Sequence, residues 1–391
     1  MKNAIRYFKH LLKTNTRAFI IITVITLLSC SVAVSESQYL YRYQKVDDGY
    51  GGYYTYSERY EKDPYDGEHW QPDYYGINYW WLEDSVESDP SVGYTYSYRL
   101  YLDYASGLML ALCFLAPIWF FSGFKKRRNL DTVYSLPIGR RALGGVHYLA
   151  GLLSIWIPVT VSYMFTVITA LADGASAYIN FGWLILHFVS TLLCGWLLYS
   201  FYLFFYCEGN SVGDGCVFML SWTVLPYWIC EFMDILGGAS ELVPPVFAND
   251  LLSALKAGIE IDNKVVSGFF AQSKNIVLLL VWLAVGIGIT ALFFYRFRSK
   301  HTEKAGAVSD SLVGYSLIIP LFIIPTVIHT TYDYGTKGWT LNIENEPGAV
   351  LLGLAAAFIG YTIFRRGVRY KKSDWCVLGV IGFFFLISCA I

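Results

Sequence analysis

Few side chains here are equipped for chemistry, and most of those sit among apolar neighbours. Glu231 and Asp234 are three apart at the end of an apolar stretch, so on a helix they share a face. Such a pair suits a proton-coupled carrier; it equally suits a helix end meeting interfacial water. His147 and His187 lie inside apolar stretches and His329 at the edge of one. Ionisable groups at membrane depth are functional candidates, so Glu231, Asp234 and His187 are candidates for a transport path. For His187 a hydrogen bond between helices is the plainer reading. Gly209-Asn210-Ser211-Val212-Gly213 fits Gly-x-Ser-x-Gly, but a hydrolase elbow needs a preceding strand and a paired His. Between two apolar stretches it reads as a tight turn, with Ser211 or Asp214 capping the next helix. The chain has no Gly-Lys-Ser or Gly-Lys-Thr, no His-Glu-x-x-His and no Gly-x-Gly-x-x-Gly. That excludes a phosphate loop of its own and leaves no catalytic or metal-ligating residue to name. The eight cysteines include no Cys-x-x-Cys and read as small buried hydrophobes.

The richest segment is residues 125–145. Lys125, Lys126, Arg127 and Arg128 mark a membrane edge. Asn129 or Asp131 can cap a short helix carrying Leu130, Val133, Tyr134 and Leu136. Pro137 stops it, and Gly139 frees the turn before Arg140 and Arg141. An aliphatic and aromatic knob offered to water has no lipid role, but it suits a partner's groove.

These residues must be held by membrane helices. The chain is 55% hydrophobic and only 15% charged, against about a quarter charged in soluble domains. Nine stretches approach the 20 or so apolar residues a spanning helix needs: 18–35, 105–124, 146–171, 181–206, 215–236, 275–295, 311–329, 348–364 and 375–391. With the N-terminus cytoplasmic, inside segments hold 20 Lys and Arg and the longer outside segments hold nine, the bias that sets orientation. Residues 1–35 also have the outline of a signal peptide, and Leu27-Leu28-Ser29-Cys30 of a poor lipoprotein site; the long basic leader favours retention. The net charge of −1 gives no reason to expect nucleic acid.

Between the spans, residues 4–17 place Ile5, Phe8, Leu11 and Leu12 at helical spacing among Arg6, Lys9 and Lys13, the pattern of an amphipathic helix lying on the inner leaflet before the chain turns into the bilayer. Residues 36–104 carry 17 Tyr and 14 Asp and Glu against five Lys and Arg. Alternation of Tyr39, Tyr41 and Tyr43, and of Tyr94, Tyr96 and Tyr98, predicts short strands in a small external cap. Residues 237–274 form an outside connection whose apolar residues suit short re-entrant helices, and 296–310 read as a linker to the last three spans.

The stretch Tyr134-Ser135-Leu136-Pro137-Ile138-Gly139-Arg140, followed by Tyr148-Leu149-Ala150-Gly151-Leu152, resembles the permease subunits of bacterial type-2 ABC exporters. The amphipathic elbow 4–17, the short second inside loop 207–214 and the re-entrant segment 237–274 extend the resemblance over residues 1–297. It implies an all-α polytopic membrane protein: a six-span type-2 ABC exporter-like core (1–297), about three extra C-terminal spans (298–391), and a small external Tyr-rich cap (36–104) between the first two spans. It further implies a bacterial cell membrane and a non-enzymatic transport subunit with no cofactor of its own. ATP and Mg would sit on a separate ABC ATP-binding subunit, and a second permease subunit, identical or different, would complete the path. Coupling-helix docking on that ATPase falls to Asp131, Thr132, Val133, Tyr134, Ser135, Leu136 and Pro137, with Glu208 and Asn210 as the lesser contact. The implied cargo is an amphipathic peptide, antimicrobial or lipid-like molecule. The rival readings are an ion-coupled secondary carrier using Glu231 and Asp234, and a polytopic membrane enzyme or sensor with an external acidic site in 36–104.

Overall fold

The computed structural model describes residues 2–37, 40–47, 53–62, 70–72, 78–81, 95–98, 102–126, 135–172, 179–233, 244–260, 273–299, 309, 311, 313–335, 338–341, 354–355, 357–362, 364 and 372–390. Nine helices carry the described part: α1 (Lys2–Ser37), α2 (Asp103–Phe121), α3 (Arg140–Ala172), α4 (Phe181–Glu208), α5 (Val212–Met233), α6 (Pro244–Glu260), α7 (Ser273–Ser299), α8 (Tyr315–Thr331) and α9 (Lys372–Ala390). Residues 354–355, 357–362 and 364 are helical as well.

Among the described residues five helical stretches are long and apolar enough to cross a membrane: Asn3–Leu28, Ser106–Lys125, Arg140–Ala172, Phe181–Glu208 and Asn275–Arg298. Val212–Pro226 and Asp374–Phe383 are shorter apolar helices. The outward faces agree with a lipid surround: Ile21, Ile168, Ile185, Leu280 and Ile287 are all more than half exposed, an arrangement that water would penalise by about 25 cal/mol per Å² of apolar surface. The molecule is therefore compatible with a polytopic membrane protein.

Residues 4–17 do not turn away from the first apolar stretch. They form one continuous helix with it, 36 residues long. The physical reason lies in Thr14, Asn15 and Thr16. Their side chains donate to the carbonyls of His10 (2.9 Å), Leu11 (2.8 Å) and Leu12 (2.8 Å), so polar residues that often break a helix satisfy themselves within it.

The main core lies where α2, α3, α4 and α7 meet, with α6 laid against α4. Glycines set the close approaches. A Cβ on Gly151 would lie 2.1 Å from the Tyr199 hydroxyl, and one on Gly286 would lie 2.8 Å from Leu197. Within 237–274 the described residues include α6, which buries Phe247, Leu251, Leu252 and Leu255 in the core. A second small cluster joins Leu102, Tyr163, Ile179, Leu184 and Ile259 at the opposite end of the bundle from Lys125. Toward the C-terminus, α8 packs on α5, and Tyr361, Phe364, Leu378 and Ile381 form a separate cluster against Tyr315.

Strands lie outside this helical bundle. Residues 40–98 contain five, with β1 (Leu40–Asp47) central between β2 (Tyr53–Lys62) and β5 (Thr95–Tyr98), and with β3 (Trp70–Pro72) and β4 (Asn78–Trp81) both on β2. All pairings are antiparallel. The register pairs Tyr41 with Ser97 and Arg42 with Tyr96. Directly paired positions share a face, so Tyr41 and Tyr43 fall on the opposite face from Tyr96 and Tyr98. A two-stranded ladder, β6 (Tyr332–Gly335) and β7 (Gly338–Leu341), follows α8.

Candidate functional site at the basic end of the bundle

Lys125 closes a 3-10 turn that continues α2, and its side chain turns inward rather than out; the residue is 7% exposed. Its Nζ donates to the carbonyls of Tyr206 and of Gly209, the latter at 2.7 Å. These carbonyls lie in the last turn of α4 and just beyond it, where a helix has no partners of its own and carries partial negative charge. The ammonium also lies 4.1 Å from the centre of the Tyr206 ring. Gly215 makes room: a Cβ there would lie 2.6 Å from the Tyr206 ring and 2.9 Å from Lys125 Nζ. Gly209 faces Gly215 as closely, since a Cβ on it would lie 2.5 Å from the Gly215 nitrogen. One cation thus ties the segment leading into residues 125–145 to the tight turn at 209–211.

The far side of that turn is tied to the chain ahead of α8. Glu208 carries two contacts there and a third to Arg296 of α7. Its carbonyl accepts from Ser309 Oγ at 2.8 Å, its carboxylate accepts from Ser311 Oγ, and Arg296 Nε lies 3.5 Å from the other carboxylate oxygen. Tyr315 donates to Asp214 Oδ1 at 2.9 Å, and Trp222 Nε1 donates to the Val313 carbonyl at 2.9 Å. Ser211 caps α5, its Oγ lying 3.0 Å from the Asp214 amide, as the turn reading of Gly209–Gly213 requires. No nucleophile elbow is present, since α4, not a strand, precedes the turn.

A third tie holds α1. Tyr7 Oη lies 3.2 Å from His147 Nε2, and His147 Nδ1 lies 3.0 Å from the Phe120 carbonyl, which fixes Nδ1 as the proton-bearing nitrogen. Phe124 packs edge-on to the same imidazole at 4.8 Å. His147 is thus a strut joining α1, α2 and α3.

Of the expected docking residues, Asp131, Thr132, Val133 and Tyr134 lie outside the described residues. Ser135, Leu136 and Pro137 form a turn and bends leading to α3, with Ser135 and Pro137 exposed and Leu136 half-buried. Ile138 donates to the Leu136 carbonyl at 2.7 Å, and Gly139 starts α3 by accepting from Leu143 at 2.9 Å. Exposure continues through Arg140, Arg141 and Ala142, so residues 135–142 present a largely open basic strip. Glu208 and Asn210 stand differently. Glu208 is engaged within the chain and Asn210 is buried, so both brace the turn rather than face outward.

The three transport-path candidates are not gathered into one described site. His187 is buried near the opposite end of the bundle, its Nδ1 3.3 Å from Tyr163 Oη, while that hydroxyl donates to the Leu184 carbonyl at 2.8 Å. Glu231 is in the last turn of α5, its side chain outside the described residues, as is Asp234. Among the described residues no three His, Cys, Asp or Glu gather as metal ligands.

Sequence reasoning missed Lys125 as a strut and missed Ser309, Ser311 and Tyr315 altogether. The signal that was available is the pair Gly209 and Gly215, whose spacing brackets a turn needing close backbone approach. Comparison with known protein families, with curated proteins and with solved structures finds no match for this chain.

Proposed function

We propose that this protein is the membrane-spanning permease subunit of an ATP-driven exporter in a bacterial cell membrane, with its N-terminus and its basic end cytoplasmic. The observation that carries the reading is the bracing at the basic end. Lys125 binds the base of the 125–145 loop to the 209–211 turn, and Glu208 binds that turn to the chain before α8. Lys125 joins the end of α2 to the end of α4 and the turn before α5, so a push delivered at this end would be shared among those helices, as a coupling element requires.

The pushing partner is a separate ATP-binding subunit that holds ATP and Mg. Residues 131–137 dock on it, and a second permease subunit completes the path for an amphipathic peptide, antimicrobial or lipid-like cargo. Direction comes only from cargo and nucleotide binding one membrane state more tightly than the other. The segment Glu208–Asp214 serves docking indirectly, by holding the strip in place.

The test is co-purification of the gently extracted, tagged chain with an ATPase. Tyr134→Asp together with Leu136→Asp should release the ATPase while the chain stays folded. An ATPase retained at wild-type level removes the docking role from this loop. Transport in sealed vesicles that persists without ATP and stops when the proton gradient is collapsed would transfer the assignment to an ion-coupled carrier.

A further inference from the structure

The outward face of α1 changes chemistry part-way along one unbroken helix. Ile20, Ile21, Val24, Ile25 and Leu28 are between 47% and 62% exposed, an apolar surface that lipid would cover. Continuing that face toward the N-terminus at the same three- and four-residue spacing gives Arg17, Lys13, His10 and Arg6, with Lys9 beside them. All five are exposed. Arg6, Lys9, Lys13 and Arg17 make no side-chain ion pair among the described residues, and residues 2–35 contain no Asp or Glu.

The opposite face of the same segment stays on the bundle. Phe8, Leu11, Phe19 and Ile22 pack against the main core. Tyr7 reaches His147, which in turn holds the Phe120 carbonyl. Phe19 stacks on Trp119 with ring centres 6.3 Å apart and lies 6.2 Å from Phe120. Residues 7 and 19 are thus both tied to Ser106–Lys125 and Arg140–Ala172, two stretches long and apolar enough to cross a membrane. The helix runs unbroken between them through Thr14, Asn15 and Thr16. The cations at 9, 13 and 17 therefore lie along the flank of the bundle and not out in open water.

Arg6 and Arg17 are eleven residues apart, so the basic stretch is about 16 Å long. The headgroup layer of one leaflet is only about 5–8 Å deep. A basic face this long crosses the headgroup layer and reaches toward the acyl chains, where a cation needs an anionic partner and snorkels to meet it. We propose that the outward face of α1 from Arg6 to Arg17 binds the headgroups of acidic phospholipids in the leaflet at the basic end of the bundle. A zwitterionic headgroup brings its own cation and offers these side chains less. Each Lys or Arg near a membrane surface favours acidic lipid about fivefold. The inference rests on membrane insertion and not on the transport reading.

The test uses the full chain purified in mild detergent and exchanged into mixed phosphatidylcholine and phosphatidylglycerol with identical acyl chains. Retained lipid is counted by mass spectrometry of the intact protein. Wild type should retain phosphatidylglycerol over phosphatidylcholine, and added inorganic phosphate should not displace it. Lys13→Gln and Arg17→Gln should each weaken that preference about fivefold, while Lys13→Arg should keep it. Both positions are exposed, so the unfolding midpoint of each variant should match wild type. Equal retention of the two lipids by wild type, a preference unchanged in both Gln variants, or displacement of the lipid by inorganic phosphate overturns the proposal. So does an acidic protein that co-purifies with wild type and is released by both Gln variants while lipid retention stays constant, because the basic face would then seat that protein.

Discussion

Replacing Lys125 with Met isolates the strut at the basic end. The substitution keeps the length and the apolar stem while removing the ammonium, so the carbonyls of Tyr206 and Gly209 lose their shared donor. A hydrogen bond to a charged group contributes about 1.5–3 kcal/mol. Two such bonds, together with the interaction of the cation with the helix terminus at roughly 0.3–1 kcal/mol, set the gross loss. Releasing a buried cation to water returns part of it, leaving a net destabilisation of about 2–4 kcal/mol. The assay is denaturant unfolding of the detergent-solubilised protein, read against wild type. Gly215→Ala supplies the control, because its new Cβ would lie 2.9 Å from Lys125 Nζ and 2.6 Å from the Tyr206 ring and would push the ammonium away. Both variants attack one contact, so the double variant should cost less than the two singles added, by about 1 kcal/mol or more. Under the proposed function Lys125→Met should still retain the ATPase, since the strip at 135–142 is untouched, but ATP-driven transport should fall. A cost for Lys125→Met below about 0.5 kcal/mol, or full additivity with Gly215→Ala, would refute the strut.

Further expectations concern other parts of the bundle. Gly151→Ala should destabilise by about 1–3 kcal/mol through overpacking, because the Tyr199 hydroxyl occupies the space of the new methyl; the unfolding midpoint reads this. Tyr199→Phe should be neutral or slightly stabilising, since that buried hydroxyl has no hydrogen-bond partner among the described residues. Tyr163→Phe, by contrast, breaks the bond to the Leu184 carbonyl and should cost about 1 kcal/mol in the same measurement. Ser311→Ala should destabilise by about 1–2 kcal/mol by removing a donor from the Glu208 carboxylate, whereas Arg296→Gln should change stability by less than about 1 kcal/mol, since Arg296 is 54% exposed.

Apolar length made the long helices legible. The stretches 105–124, 146–171, 181–206 and 275–295 fall within α2 and its 3-10 extension, α3, α4 and α7, because lipid leaves a backbone no other way to satisfy its amides. Their ends were less legible. α3 begins at Arg140 and α4 runs to Glu208, since polar residues stay helical past the point where hydropathy falls. The unbroken α1 was misread at Thr14, Asn15 and Thr16, where side-chain bonds to carbonyls four residues back are invisible to a count of apolar spacing. The site was legible only as charge. A lysine at a membrane edge looks like an anchor, and what draws Lys125 inward is the unpaired end of α4 and the hollow above Gly215, both set by tertiary packing. Ser309 and Ser311 look like linker residues for the same reason: their partner, Glu208, is about a hundred residues away. The Tyr alternation pointed to strands at 40–47 and 95–98, but the register of two distant strands is not written in either one.

α1 packs chiefly on α3, through ties such as the one from Tyr7 to His147. About a hundred residues separate the end of α1 from the start of α3. At a synthesis rate of about 5–20 residues per second, α1 is complete roughly 5–20 s before its main support begins to be made. During that interval the described contacts open to it are those of Phe19 with Trp119 and Phe120 of α2, so completion of the fold waits on the arrival of α3.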